Sequence, residues 1–169
     1  MEPIVTRMTP ADWETVRRIL EDGIATGHAS FDTEVPDWDA WNRSHLEVCR
    51  LVARVEGVIA GWAALSPVSS RCVHSGVAEV SVYVGSGFRR RGIGRALMAE
   101  LIDASEHEGI WTLQGGVFPE NAASIALQKA FGFREVGRQE RLGKLNGVWR
   151  DVVLMERRSR AVGTLWQSG

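Results

Sequence analysis

The chain has 169 residues, of which 44% are hydrophobic and 24% are charged, and its formal net charge is −1. This length and composition predict one globular domain with a core of its own. The near-neutral charge argues against a nucleic-acid or membrane partner. Apolar stretches of strand length and an N-terminus unlike a signal peptide predict a cytoplasmic protein.

The cysteines and histidines give no sign of a metal site. Cys49 and Cys72 match neither a metal-ligand spacing nor a redox pair, and the four histidines are scattered along the chain. We therefore expect two free thiols and no bound metal.

Hydrophobic periodicity and turn residues predict alternating strands and helices. In chain order these are a strand at 4–8, a helix after Thr9-Pro10 to about 25, a short helix at 38–48, strands at 50–55, 58–65 and 77–84, a helix at 92–108, a strand at 112–118, a helix at 121–130, and strands at 133–141 and 148–155. Glu56-Gly57 is a strong hairpin signal. Hairpins mixed with βαβ units predict an α/β domain built around a mixed sheet.

The most informative motif is a strand, a glycine-rich turn and the start of a helix. The sequence runs Glu79-Val-Ser-Val-Tyr-Val84, then Gly85-Ser-Gly-Phe88, then Arg89-Arg-Arg-Gly-Ile-Gly-Arg95. The first N–H groups of a helix lack intrahelical partners and lie at the positive end of its dipole. Three arginines alone are typical of a solvated surface, but at this junction they favour an anion site. We expect the anion to be a pyrophosphate, although the segment matches neither the Walker A loop nor the dinucleotide-binding fingerprint.

The strand of this motif carries a candidate general base. Alternation places Glu79 on one face with Ser81 and Tyr83, whereas the intervening valines form the other face, expected beneath a helix. From position alone, a solvated or ion-paired glutamate is an equally good interpretation. Beside an anion-binding turn, a partly buried carboxylate with a raised pKa can serve as a base.

Two blocks of the chain resemble one known family. The segment from Glu79 to Arg95 looks like the acetyl-CoA pyrophosphate loop of the GNAT N-acetyltransferases, and Asn121 to Phe133 resembles the helix and strand that close their cofactor cleft. The resemblance spans about residues 4–156 and is strongest to the phosphinothricin acetyltransferase-like branch. The marks of that branch are Ala29-Ser-Phe31, Gly61-Trp-Ala-Ala-Leu-Ser-Pro67 with Arg71, and Trp149-Arg-Asp151-Val.

The resemblance implies the GNAT fold, a central mixed and mostly antiparallel sheet flanked by helices on both faces. We expect a single domain at 1–156, followed by a tail at 157–169 in which Trp166 could pack on a second subunit. Members of this branch are commonly homodimers, so a homodimer is implied as well.

The implied activity is acetyl-CoA-dependent N-acetyl transfer to the α-amine of a small amino-acid-like acceptor. Phosphinothricin and methionine sulfoximine or sulfone are the acceptors that the branch suggests, with Glu79 as general base. The residues implied to bind acetyl-CoA are Val82, Tyr83, Val84, Arg89, Arg90, Arg91, Gly92, Ile93, Gly94, Arg95, Asn121 and Ser124. The residues implied at the acceptor are Phe31, Arg71 and His74. Without the resemblance, Phe31 would be assigned to loop packing, Arg71 to surface charge and Asn121 to a helix N-cap.

Two positions depart from the pattern of the family. Gln128 stands where many relatives carry Tyr or His next to the leaving sulfur, and glutamine cannot supply a proton at neutral pH. Asn146 or its neighbour stands where herbicide-acetylating members carry His. Both departures argue against efficient phosphinothricin acetylation, though not against acyl transfer. Two alternatives stay open: acetylation of another amine (a polyamine, an aminoglycoside or a protein N-terminus) and a non-catalytic acyl-CoA-binding module.

Overall fold

A computed structural model describes residues 2–164 of the chain. Its strands are β1 (Ile4–Arg7), β2 (Leu51–Val55), β3 (Val58–Pro67), β4 (Val77–Val84), β5 (Thr112–Val117), β6 (Arg134–Leu145) and β7 (Val148–Arg158). Its helices are α1 (Trp13–Ala25), α2 (Trp38–Ser44), α3 (Ile93–His107) and α4 (Ala122–Ala130). The predicted order of elements is therefore confirmed.

The seven strands form one sheet in the order β1-β2-β3-β4-β5-β7-β6. The central β4–β5 pair is parallel, and the other neighbouring pairs are antiparallel. This is the mixed, mostly antiparallel sheet that the sequence predicted. Strands β4 and β5 belong to a βαβ unit, with α3 as the crossover.

Each face of the sheet has its own hydrophobic core. Leu97 and Leu101 of α3 pack with Val80 of β4 on one face, where α4 adds partly buried apolar side chains. On the other face, Val16 of α1 packs with Trp41 of α2 and the central strands. Because strand side chains alternate, β3 and β4 supply both cores. The valine face of β4 lies beneath α3, as predicted.

Two turns explain how the hairpins close. Glu56 and Gly57 both have positive φ, 51° and 80°, as the two-residue loop of a twisted hairpin requires. Asn146 and Gly147 have φ of 50° and 81° and close the β6–β7 hairpin in the same way. Asn146, the position noted as a departure from the family, is thus a turn residue.

Three C-terminal ends of elements differ from the prediction by three or more residues. Helix α2 ends at Ser44 because His45 is extended. Strand β6 continues to Leu145 through two register shifts. At the second shift, Arg141 takes a positive φ of 47° and donates its N–H to Asp151. Strand β7 continues to Arg158, so the first residues of the predicted tail belong to the sheet.

The extension of β7 has a physical cause. Arg157 donates to Glu106 of α3 at 3.1 Å and to the carbonyl of Phe131 at 3.2 Å, which fixes the strand against both helices of that face. Trp166 lies outside the described residues.

Candidate active site

The centre of the sheet contains a gap between two parallel strands. Strands β4 and β5 pair only from Val77 with Thr112 to Glu79 with Gln114. Beyond that pair both strands continue, β4 to Val84 and β5 to Val117, without pairing to each other. The gap therefore presents an open strand edge in the middle of the protein.

The backbone of β4 directs particular groups into this gap. The N–H of Gly85 donates to the carbonyl of Ala60 at 2.8 Å, so the backbone of Gly85 faces β3. Because consecutive strand residues point their backbone groups to opposite edges, Val82 and Val84 face the gap and Tyr83 faces β3. The gap is thus lined by the N–H and C=O groups of two valines.

The loop after β4 brings this edge to the N-terminus of α3. Arg90 and Gly92 have positive φ, 62° and 76°, and Gly92 is the N-cap residue. The N–H groups of Ile93, Gly94 and Arg95 therefore begin the helix without intrahelical partners. Successive N–H groups in such a turn form a concave anion site.

Four arginines surround this helix end: Arg89, Arg90, Arg91 and Arg95. All four are exposed, and none forms an ion pair with a carboxylate within residues 2–164. The guanidinium of Arg91 lies 5.7 Å from the ring centre of Phe88, and that of Arg95 lies 5.5 Å from Phe131. Stacking holds these two side chains beside the helix end while their charge stays uncompensated.

Glu79 lies where the gap opens. The side chain as a whole is exposed, yet protein atoms around the carboxyl raise its pKa above the ordinary value by desolvation. Within the described chain it accepts no hydrogen bond and forms no ion pair. A carboxylate free of partners and with a raised pKa suits proton abstraction.

The start of α4 lies on the other side of the gap. Asn121 caps the helix, accepting the N–H of Ser124 at 3.2 Å, and its amide also donates to the carbonyl of His28 at 3.3 Å. Ser124 lies within 3.5 Å of the Gln128 amide nitrogen. Helix α4 also approaches the start of α3 closely: a Cβ placed on Gly94 would lie 3.3 Å from the side chain of Leu127.

The three predicted acceptor residues are not joined by hydrogen bonds. Phe31 packs edge-on against Phe118, with ring centres 4.9 Å apart, at the end of β5. Arg71 and His74 lie on the exposed loop before β4, and neither side chain forms a hydrogen bond or ion pair within residues 2–164. Because the exposed Arg71 guanidinium has no partner among the described residues, it is available to an acidic ligand.

Comparison with known proteins agrees with this geometry. Residues 13–133 match the model of the acetyltransferase (GNAT) family. The chain belongs to that family. It is 31% identical over 153 residues to a phosphinothricin N-acetyltransferase of Streptomyces viridochromogenes, covering 88% of this chain and 84% of the relative. It is 29% identical over 151 residues to an L-methionine sulfoximine/L-methionine sulfone acetyltransferase of Salmonella typhimurium, covering 86% and 88%.

Solved GNAT structures have the same fold. A GNAT superfamily phosphinothricin acetyltransferase from Sinorhizobium meliloti, solved in complex with AcCoA, superposes with a TM-score of 0.87 at 25% identity, covering all of this chain and 95% of the other. The chain is therefore a GNAT acyltransferase that resembles the phosphinothricin acetyltransferase branch.

Tyr83, for which the resemblance implies a cofactor contact, lies between the two valines of the gap edge. Its backbone faces β3, and its ring stacks on Trp62 with centres 4.9 Å apart. Burial, with Asp32 and Glu79 nearby, raises the pKa of Tyr83 to about 12. The side chain therefore belongs to the Glu79 face, and the gap is lined by its two valine neighbours.

Arg150 was not among the functional residues predicted from the sequence. This arginine is only 9% exposed and lies over the Phe118 ring, 4.0 Å from its centre. It donates to the Gly27 carbonyl at 2.7 Å, to His28 Nδ1 at 3.0 Å and to Glu120 at 3.2 Å. It thereby joins the loop that carries Phe31 to the corner between β5 and α4. The signals in the sequence were its place in the Trp149-Arg-Asp151-Val segment and an arginine at an inward-facing position of a strand.

The described residues contain neither a metal-binding group of side chains nor a membrane-spanning helix. Between Glu2 and Thr164, no group of His, Cys, Asp or Glu is arranged to hold a metal ion. No helix in this part of the chain is long and apolar enough to cross a membrane.

A separate open cleft of about 620 Å³ lies between α1, the β2–β3 turn and Gly85–Phe88. The cleft contains none of the predicted acceptor residues.

Proposed function

We propose that this GNAT enzyme transfers the acetyl group of acetyl-CoA to the α-amine of a small amino-acid-like acceptor. The acceptors that fit are of the phosphinothricin or methionine sulfoximine and sulfone type, on which the two named relatives act. The observation that carries the proposal is the β4–β5 gap, which leads from Glu79, without a partner among residues 2–164, to the arginine-rich start of α3.

The gap fits the cosubstrate. A pantetheine arm contains amide groups that can pair with Val82 and Val84 as an added strand would. Its pyrophosphate would lie at the N–H groups of Ile93, Gly94 and Arg95, with Arg89, Arg90, Arg91 and Gly92 forming the loop around it. Ser124, and the Asn121 cap beside it, would border the lower arm. The buried amide oxygen of Gln128, at the apex of the gap and without a hydrogen-bond partner in the described part of the chain, is further support.

The reaction requires one general base and one hydrogen-bond donor that faces the developing oxyanion. An α-amine is mostly protonated at neutral pH, so Glu79 would remove a proton, directly or through water, before attack on the thioester carbonyl. An N–H group on the gap edge of β4 would face the developing oxyanion, which is commonly worth a few kcal/mol of barrier. The departing thiolate is a good leaving group because the pKa of its thiol is about 8.5.

The acceptor would lie on the Glu79 face of the sheet. Arg71 would pair with its carboxylate or phosphinate because a guanidinium binds such groups with two parallel hydrogen bonds. Phe31 would form an apolar wall, and His74 would border the site. In accordance with the family resemblance, we further propose a cytoplasmic homodimer.

The test is thiol release from acetyl-CoA with a panel of amines. The panel contains phosphinothricin, methionine sulfoximine, methionine sulfone, standard amino acids, spermidine and an aminoglycoside. We expect turnover confined to the amino-acid-like acceptors whose side chain ends in a tetrahedral phosphinate, sulfoximine or sulfone group. Turnover with cationic amines alone would replace this acceptor assignment. Tight acetyl-CoA binding without turnover of any amine would favour the non-catalytic module.

A further inference from the structure

Gln128 is a buried amide without adequate hydrogen bonds. Its side chain is only 5% exposed, and Oε1 has no hydrogen-bond partner within residues 2–164. Its Nε2 donates to Ser124 Oγ at 3.5 Å, the outer limit for such a bond. A buried polar group left unsatisfied destabilises a protein, and native proteins rarely retain one without a reason.

The amide lies at the apex of the β4–β5 gap. A Cβ built on Gly115 would overlap Gln128 Oε1 and would lie 2.8 Å from Nε2, so the amide occupies the space of a side chain there. Gly115 directly follows Gln114, the last β5 residue that pairs with β4. The unsatisfied oxygen is therefore at the point where the two strands separate.

A ligand in the gap can supply the missing donor. The pantetheine arm carries amide N–H groups, and an amide N–H is the ordinary partner of a glutamine oxygen. The thioester sulfur, in contrast, offers no hydrogen to Oε1. We propose that Gln128 binds the arm of the cosubstrate by accepting an amide N–H at Oε1, with Gly115 keeping the space open. This inference rests on the proposed function.

The assignment gives Gln128 a binding role. Gln128 would hold the arm near the acyl end of the gap, and it would not protonate the departing sulfur. Because the oxygen lacks a partner until the ligand arrives, part of the binding free energy comes from relieving that defect.

Replacement of this amide should therefore have opposite effects on the free and the bound protein. Gln128→Met keeps the length of the side chain but removes both polar atoms, so it removes the orphaned oxygen. We expect the melting temperature of the ligand-free protein to stay the same or to rise by about 2–4 °C. We expect affinity for CoA, measured by calorimetry, to fall about 5- to 10-fold.

The control ligand is the nucleotide half of CoA, which has the pyrophosphate but no pantetheine arm. Its affinity should be equal for wild type and Gln128→Met. Gln139→Met, the same change on exposed β6, should alter neither affinity nor melting temperature. Unchanged CoA affinity, equal losses for both ligands, or a lower melting temperature in Gln128→Met would overturn the inference. Failure of wild type to bind CoA would instead refute the proposed function.

Discussion

Glu79 of β4 and Gln114 of β5 form the last pair between their strands, and the gap opens directly beyond them. The proposed base thus lies at the apex of the gap, whereas the arginine-rich loop lies at its far end, after Val84. One strand would therefore position both ends of the proposed acetyl-CoA. The acyl group would lie near Glu79 and the pyrophosphate near Gly92.

Replacing Glu79 with Gln separates catalysis from binding. Gln keeps the size of the side chain but cannot accept a proton from the amine, so kcat should fall about 10²- to 10⁴-fold. CoA affinity should stay within about twofold of wild type, because no cosubstrate contact is assigned to the carboxyl. Steady-state kinetics and calorimetry measure the two effects. Wild-type kcat in this variant would remove Glu79 from the mechanism.

The pH profile should have an acidic limb set by Glu79. Glu79 acts as a base only when ionised, and burial raises its pKa, so kcat/KM should fall with decreasing pH at an inflection above the ordinary value for glutamate. Tyr83, with a pKa of about 12, stays protonated throughout and adds no limb near neutral pH. In Glu79→Gln the acidic limb should disappear; its persistence would assign it to another group.

The same shift has a consequence for stability. A carboxyl with a raised folded-state pKa binds its proton more tightly when folded, so its contribution decreases as pH rises through that pKa. Glu79→Gln should therefore unfold at the same temperature as wild type, or a higher one, at pH 7. A clear decrease would indicate a structural role for the carboxylate.

Gly92 can be tested against a glycine of the same loop. Gly92 has φ of 76° and open space around its Cα, so Gly92→Ala adds backbone strain without a clash. We expect a loss of about 1–2 kcal/mol in the free energy of unfolding, together with weaker CoA binding. Gly87 also has open space but no positive φ, so Gly87→Ala should change stability by less than about 0.5 kcal/mol. Equal losses in urea denaturation would contradict this explanation.

Arg150 should matter more than another arginine of the same hairpin. Arg150→Ala leaves the Gly27 carbonyl and His28 without their donor and should cost about 2–3 kcal/mol of folding free energy. It should also raise KM for the acceptor, because the same loop carries Phe31. Arg138→Ala removes an exposed pair with Asp151 and should destabilise the protein clearly less than Arg150→Ala does. Urea denaturation compares the two variants, and equal losses would refute the role of Arg150 in joining the Gly27–His28 loop to the sheet.

Arg71 provides a test of acceptor recognition. Because its side chain has no partner within the described residues, Arg71→Ala should leave stability and CoA affinity unchanged. KM for a carboxylate-bearing acceptor should rise at least about tenfold, and Arg71→Lys should restore only part of this, since lysine lacks the planar fork. An unchanged KM for every acceptor would exclude Arg71 from the site.

Local sequence patterns predicted much of this protein because they report on neighbouring residues. The alternation of β4 predicted which face carries Glu79 and which lies beneath α3. The glycines and arginines after it predicted a turn into a helix N-terminus surrounded by positive charge, the kind of end that favours an anion. Glu56-Gly57 predicted a turn for an equally local reason, the tolerance of positive φ.

Only the tertiary structure decided how distant segments meet. No local pattern states that β4 and β5 stop pairing after Glu79, because pairing depends on both strands and the helices packed on them. Arg150 and His28 are far apart in sequence, so their contact exists only once the sheet is assembled. The same holds for Gln128 over Gly115. The sequence by itself determined the elements and their chemistry, and long-range packing determined which of those groups share a site.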